Sequence, residues 1–246
     1  MPDMRAVASL INRALGMWGY RIARTGRAMS SEPYSPLFQH RRVTDVDGLV
    51  ARARGIPGML GEDSARFLYA LCYAQQLKGD VVEIGSWQGY STSFLARAVA
   101  ESGNGRMYAV DHFGGNAGKE KEYVVGKPDL SDLRQKFQEN MRHQGLDQTV
   151  KLLPVSSREA AGHLRQEAAR IRFLFIDGDH SREGVQRDVD LFFPFLMKNS
   201  IVVFDDCTPG APGVLAAVDE LFRAKRFEKA FTYPNTLVAI VGQESA

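Results

Sequence analysis

At 246 residues the chain can bury one sizeable core without requiring a second. Hydrophobic residues at 44%, charged residues at 24% and a net charge of +2 argue against a disordered polyelectrolyte and against a basic nucleic-acid binder, and leave a small partner as the expectation. No apolar run reaches the ~18 residues of a membrane-spanning helix, and Cys72 and Cys207 stand far apart without a Cys-x-x-Cys or zinc-ligand spacing, so a reducing cytosol is expected.

Between Met4 and Met29 there is no acidic residue, while Arg5, Arg13, Arg21, Arg24 and Arg27 alternate with Val7, Leu10, Ile11, Leu15, Trp18 and Ile22. This reads as a basic amphipathic helix. It would either touch a membrane's inner face or a partner, or else pack on its own domain or fray. It lacks the apolar core and cleavage site of a secretory signal. Pro33 and Pro36 mark residues 30–57 as an irregular connector with room for a short helix, so residues 1–57 form an extension and residues 58–246 the main domain. That domain opens on a helix in which Ala65, Leu68, Leu71, Cys72 and Leu77 recur at helical spacing, with Glu62, Asp63 and Ser64 in its first turn.

The stretch VVEIGSWQGYSTSF, Val81 to Phe94, reads as a buried strand, a glycine loop and a helix start. Such a loop lies at the carboxyl end of a strand, where open α/β sheets bind ligands and a helix N-terminus offers free N–H groups. GSWQG matches neither a P-loop nor the three-glycine dinucleotide pattern. Glu83 would repel a pyrophosphate and attract an ammonium or sulfonium group, unless it is only a solvated strand-end carboxylate. The next strand, Arg106 to Val110, ends at Asp111, placed to accept hydrogen bonds from two ribose hydroxyls. Residues His112 to Asp132 form a long glycine-rich, charged loop, read as a substrate lid. Helices over 133–144, 158–169 and 182–193 then alternate with strands over 150–154, 171–176 and 200–204, which predicts a doubly wound α/β fold with a parallel sheet. Tyr233-Pro234-Asn235 joins two final strand-like runs.

Glu83, Gly85 and Gly89 followed by Asp111 resemble the class I S-adenosylmethionine-dependent methyltransferases, whose first strand ends in E/D-x-G-x-x-x-G and whose second ends in an acidic residue. The resemblance covers roughly Val81 to Val241. It implies a Rossmann-like, mostly parallel seven-stranded sheet with an antiparallel last strand, and S-adenosyl-L-methionine as cofactor. Its contacts would be Glu83, Gly85, Ser86, Trp87, Gly89, Ser91, Asp111, His112, Ser156 and Asp177. Ser156 would meet the adenine edge or only cap a helix, and Trp87 would cover the methionine end or pack on protein.

A second constellation is acidic. Asp177 follows one apolar strand and Asp205 and Asp206 follow the next, so all three should reach one rim. Converging carboxylates need compensation, and oxygen-only ligands suit Mg²⁺ or another hard divalent cation. The alternative is that the pair caps the following helix. The pattern resembles the metal-dependent O-methyltransferases of the catechol type and of sugars and natural products, and on that resemblance Asp177, Asp205 and Asp206 hold the metal. His180, three residues after Asp177, is the expected general base, with Asp179 second, and Asp177 would join them in catalysis. The acceptor would be a sugar, glycan or natural product with vicinal hydroxyls. Two other readings stay open: a non-catalytic S-adenosylmethionine-binding scaffold, and an oxidative enzyme resembling the cephalosporin hydroxylases. The latter lacks an evident 2-His-1-carboxylate set. The oligomeric state is open, with a homo-oligomer as one alternative.

Overall fold

The computed structural model describes residues 45–115, 132–233 and 235–242. The basic segment 4–29, the connector up to residue 44 and loop residues 116–131 lie outside the described residues.

Helices α1 (Val46–Ala53) and α2 (Glu62–Ala74) precede a regular alternation. It runs β1 (Asp80–Ile84), α3 (Tyr90–Ser102), β2 (Met107–Val110), α4 (Leu133–His143), β3 (Val150–Leu153), α5 (Ser157–Gln166), β4 (Ile171–Ile176), α6 (Arg182–Phe192) and β5 (Leu196–Phe204). Helix α7 (Pro212–Arg223) and strands β6 (Lys229–Tyr233) and β7 (Thr236–Ile240) complete it. The seven strands form one sheet in the order β3-β2-β1-β4-β5-β7-β6. Strands β1 to β5 are parallel, and β7 pairs antiparallel with both β5 and β6, so the last strand alone runs against the rest. The fold is the expected Rossmann-like one.

Local chemistry starts the helices where they start. Asp45 caps α1 by accepting from the Gly48 N–H at 2.8 Å, Ser156 and Glu159 form a reciprocal capping box on α5, and Ser181 accepts from the Gly184 N–H at 3.0 Å on α6. Each such cap contributes about 1 kcal/mol. Two features depart from the expectation. Strand β5 begins at Leu196 rather than at residue 200, because the polar Lys198-Asn199 step is a register irregularity against β4, with Asn199 at φ 68°. Helix α7 fills the span between β5 and the hairpin, where a helix after the acidic pair was expected only as an alternative and without bounds.

Alternation along each strand builds two cores. Val81, Phe173, Phe175 and Val203 face α1 to α4, while Val82, Leu174, Ile176 and Phe204 face α5 to α7. Both faces are covered, which is why the central strands read as continuous apolar runs. At the amino ends of the strands Arg172 is fully buried. Its guanidinium donates to Cys72 O (2.9 Å), Gln75 Oε1 (3.0 Å), Gly79 O (3.1 Å) and Asn104 O (3.2 Å), tying together the end of α2 and the turns into β1 and β2. At the opposite, carboxyl ends, the strand order reverses between β1 and β4, the place where doubly wound sheets bind ligands. No helix among the described residues is long and apolar enough to cross a membrane.

Candidate active site

The glycine loop is built around a close backbone crossing. Gly85 adopts φ 88° and its N–H donates to Val110 O at 2.9 Å. A Cβ there would lie 2.1 Å from the Asp177 carbonyl oxygen, so the loop after β1 passes against the loop after β4 only because residue 85 is glycine. Gly89, at φ 91°, opens α3, and a Cβ on it would come 2.6 Å from Met141 Cε.

Glu83 does not lie on the loop surface and is not a solvated strand end. Alternation on β1 turns it inward onto the first turn of α3, where it is fully buried and accepts a hydrogen bond from the Thr92 hydroxyl. Burial pushes its carboxyl up to about 7; the Ser91 and Thr92 hydroxyls work against that shift, and the charge of Asp177 adds to it. Among the described residues, Glu83 Oε1 and Ser86 Oγ are buried without a hydrogen-bond partner. The Ser86 hydroxyl acts on the Glu83 carboxylate together with those of Ser91 and Thr92, so these polar groups lie together under the glycine loop, where a ligand's own donors and acceptors would complete their hydrogen bonding.

Asp111 stands at the end of β2, beside the loop. Its Oδ2 accepts from the N–H groups of Ser86 (3.1 Å) and Trp87 (2.8 Å), and its Oδ1 from that of Phe113 (2.7 Å). Trp87 is half-buried and packs against the core on the α1–α4 face. His112 is exposed, its Nδ1 accepting from the Gly114 N–H at 2.9 Å. The Ser156 side chain is engaged by Glu159, donating to Oε2 at 2.6 Å as part of the α5 cap.

The acidic rim follows from the same ladder. The Asp177 N–H donates to Ile84 O at 2.9 Å and the Asp205 N–H to Ile176 O at 3.0 Å, so the pairing of β1, β4 and β5 runs one residue past the strands and sets these residues side by side. The His180 imidazole lies between Asp177 and Asp206, with Nε2 3.3 Å from Asp177 Oδ1 and Nδ1 3.5 Å from Asp206 Oδ2. Asp205 is 8% exposed. Burial, reinforced by the charges of Asp177 and Asp206, pushes its carboxyl up to about 8. Asp179 is held differently. Burial would raise it, but the Ser181 N–H and hydroxyl and the Arg187 guanidinium at 3.3 Å hold it below the usual carboxylate range. It fixes the turn into α6.

Three carboxylates at one rim, Asp205 buried and Asp177 and Asp206 beside His180, fit a hard divalent cation in charge and donor type. As the side chains stand, no group of three His, Cys, Asp or Glu among the described residues is gathered to hold an ion. Two contributors carried no local sequence signal: Thr92, the partner of Glu83, and Gly213, where a Cβ would meet His180 O at 2.4 Å.

A family model described as a methyltransferase domain (Methyltransf_24) matches residues 82–207, just over half of the chain. The chain belongs to this methyltransferase family. The match begins on β1 and ends just past Asp206, so it spans the glycine loop, Asp111 and the whole acidic rim of this family member. The methyltransferase TomG from Streptomyces achromogenes, solved in complex with SAM, has TM-score 0.58 at 14% identity, covering 85% of this chain and 93% of that one. CalS11, a calicheamicin methyltransferase, has TM-score 0.55 at 16% identity, covering 82% of this chain and 95% of that one. At these identities the likeness shows the fold. Uncharacterized protein R132 of Acanthamoeba polyphaga mimivirus is 32% identical over 81 residues, and the matched part spans 37% of that relative's length.

Proposed function

We propose that this methyltransferase uses S-adenosylmethionine to methylate a hydroxyl of a sugar or natural product, assisted by a divalent cation. The observation that carries the reading is the contact between the two halves of the site. Gly85 passes against the Asp177 carbonyl, so a cofactor seated on the loop ends where Asp177, His180, Asp205 and Asp206 meet. The fold neighbour TomG was solved with SAM, and CalS11 is described as a TDP-rhamnose 3′-O-methyltransferase, which supports the cofactor and the acceptor class.

Asp177, Asp205 and Asp206 would hold the cation, which when bound orients vicinal oxygens and lowers the pKa of a hydroxyl. The chain's own residues do the rest. The loop N–H groups and the buried Glu83 and Ser86 seat the cofactor and fix its sulfonium relative to the rim. His180 takes the acceptor's hydroxyl proton, and Asp177, 3.3 Å away, stabilises the imidazolium that results. The freed oxygen attacks the methyl carbon in line, and the sulfur leaves as a neutral thioether.

Calorimetric titration tests this reading. S-adenosylmethionine and S-adenosylhomocysteine should both bind in the micromolar range, and Mg²⁺ should give a separate saturable heat. Asp205→Ala should abolish that heat and turnover while changing S-adenosylhomocysteine affinity less than about threefold. Absence of binding by either cofactor would sink the proposal; equal loss of cofactor and metal binding in Asp205→Ala would remove the metal from it.

A further inference from the structure

The carboxylate of Asp111 has less capacity for ribose than its position suggests. A carboxylate offers about four lone-pair sites. Three are taken by backbone N–H groups, two on Oδ2 from Ser86 and Trp87 and one on Oδ1 from Phe113. Two of the three donors are strained. Trp87 at φ 42° and Phe113 at φ 56° both occupy the left-handed region that L side chains rarely adopt. One lies in the loop after β1 and the other in the loop after β2. Charge-assisted hydrogen bonds to one carboxylate therefore hold two unfavourable backbone conformations, in two different loops, at the same time.

We propose that Asp111 is the positioning residue that assembles the cofactor loop before the cofactor arrives, and that it reads one ribose hydroxyl rather than two. The first half stands on the hydrogen bonds and backbone angles alone; the second rests on the S-adenosylmethionine reading. Among the described residues, the lone-pair site left unoccupied is on Oδ1, and Asp111 is partly exposed, so a hydroxyl can reach it.

The chain has two tryptophans, so in a Trp18→Phe background Trp87 is the sole reporter. In ligand-free protein, Asp111→Asn should raise acrylamide quenching of Trp87 at least twofold while far-UV circular dichroism stays unchanged, and S-adenosylhomocysteine affinity should fall at least tenfold. Unchanged Trp87 quenching alongside lost affinity would overturn the clasp, since Asp111 would then only touch ligand. Should the variant not fold, amide exchange in the parent protein decides. Ser86, Trp87 and Phe113 amides should exchange at least tenfold slower than unprotected ones, and unprotected rates would overturn it. For the second half, 2′-deoxy and 3′-deoxy S-adenosylhomocysteine are titrated into both proteins. One deletion should cost at least tenfold in the parent and nothing further in Asp111→Asn, while the other should cost the same in both. Coupling of both hydroxyls to Asp111 would overturn the single-hydroxyl reading. If the parent binds no S-adenosylhomocysteine, the proposed function fails while quenching and exchange still decide the clasp.

Discussion

Glu83 owes its surroundings to a central strand with both faces covered, which leaves no water for its carboxylate. Its carboxyl is raised from 4.5 to about 7 in the folded protein, so the folded state holds the proton more tightly than the unfolded chain. That contribution is complete below about pH 4.5 and is lost as pH rises through about 7. Glu83→Gln should flatten the decline in unfolding free energy over this window by roughly 3 kcal/mol, measurable by urea unfolding at a series of pH values. A variant as pH-sensitive as the parent would show that Glu83 is not the titrating group. At this scale the strand-end acids Asp111, Asp177, Asp205 and Asp206 were legible, because each follows an apolar run and the ladder dictates where it emerges. The inward turn of Glu83 and its Thr92 partner were not, because which neighbour a side chain meets across a layer depends on packing rather than on local pattern.

Helix α7 carries a consequence for the chemistry at its first turn. Gly213 sits so close to the backbone at His180 that a Cβ would lie 2.4 Å from His180 O and 2.9 Å from the Arg182 N–H nitrogen. Gly213→Ala should therefore shift the His180 turn, lowering kcat roughly 10- to 100-fold with little change in S-adenosylhomocysteine affinity. The accompanying loss of stability should be about 1–3 kcal/mol. Wild-type kcat in a variant that is folded would remove α7 from the positioning of His180. The helix itself was readable: Pro212 stands at its start, and Val214, Ala217, Val218 and Leu221 recur at helical spacing. The early start of β5 was hidden for a physical reason, since Lys198 and Asn199 interrupt the apolar run at an irregular step.

For the molecule as a whole, the alternation of strand and helix patterns sufficed to predict a doubly wound sheet, and the reversed last strand came from the family resemblance. The sequence offered no hint of the cation at the floor of the sheet. Arg172 has four oxygen acceptors there, and removing its donors strands them at about 1–3 kcal/mol each, which outweighs the several kcal/mol saved by not burying a charge. Arg172→Met should thus lower the unfolding free energy by roughly 2–5 kcal/mol without changing cofactor affinity, a result to be read from chemical denaturation alongside titration. At the other end of the strands, Asp111, Asp177, Asp205 and Asp206 line one rim and outnumber the charge that a divalent cation offsets. On the proposed reaction the incoming cofactor carries a positive sulfonium and the departing one does not. The rim therefore draws the reactant in by long-range attraction and loses that hold once the methyl has moved. Association of S-adenosylmethionine should slow with rising ionic strength in stopped-flow measurements, while that of S-adenosylhomocysteine should barely respond. The same carboxylates would then favour turnover in one direction by letting the spent cofactor go.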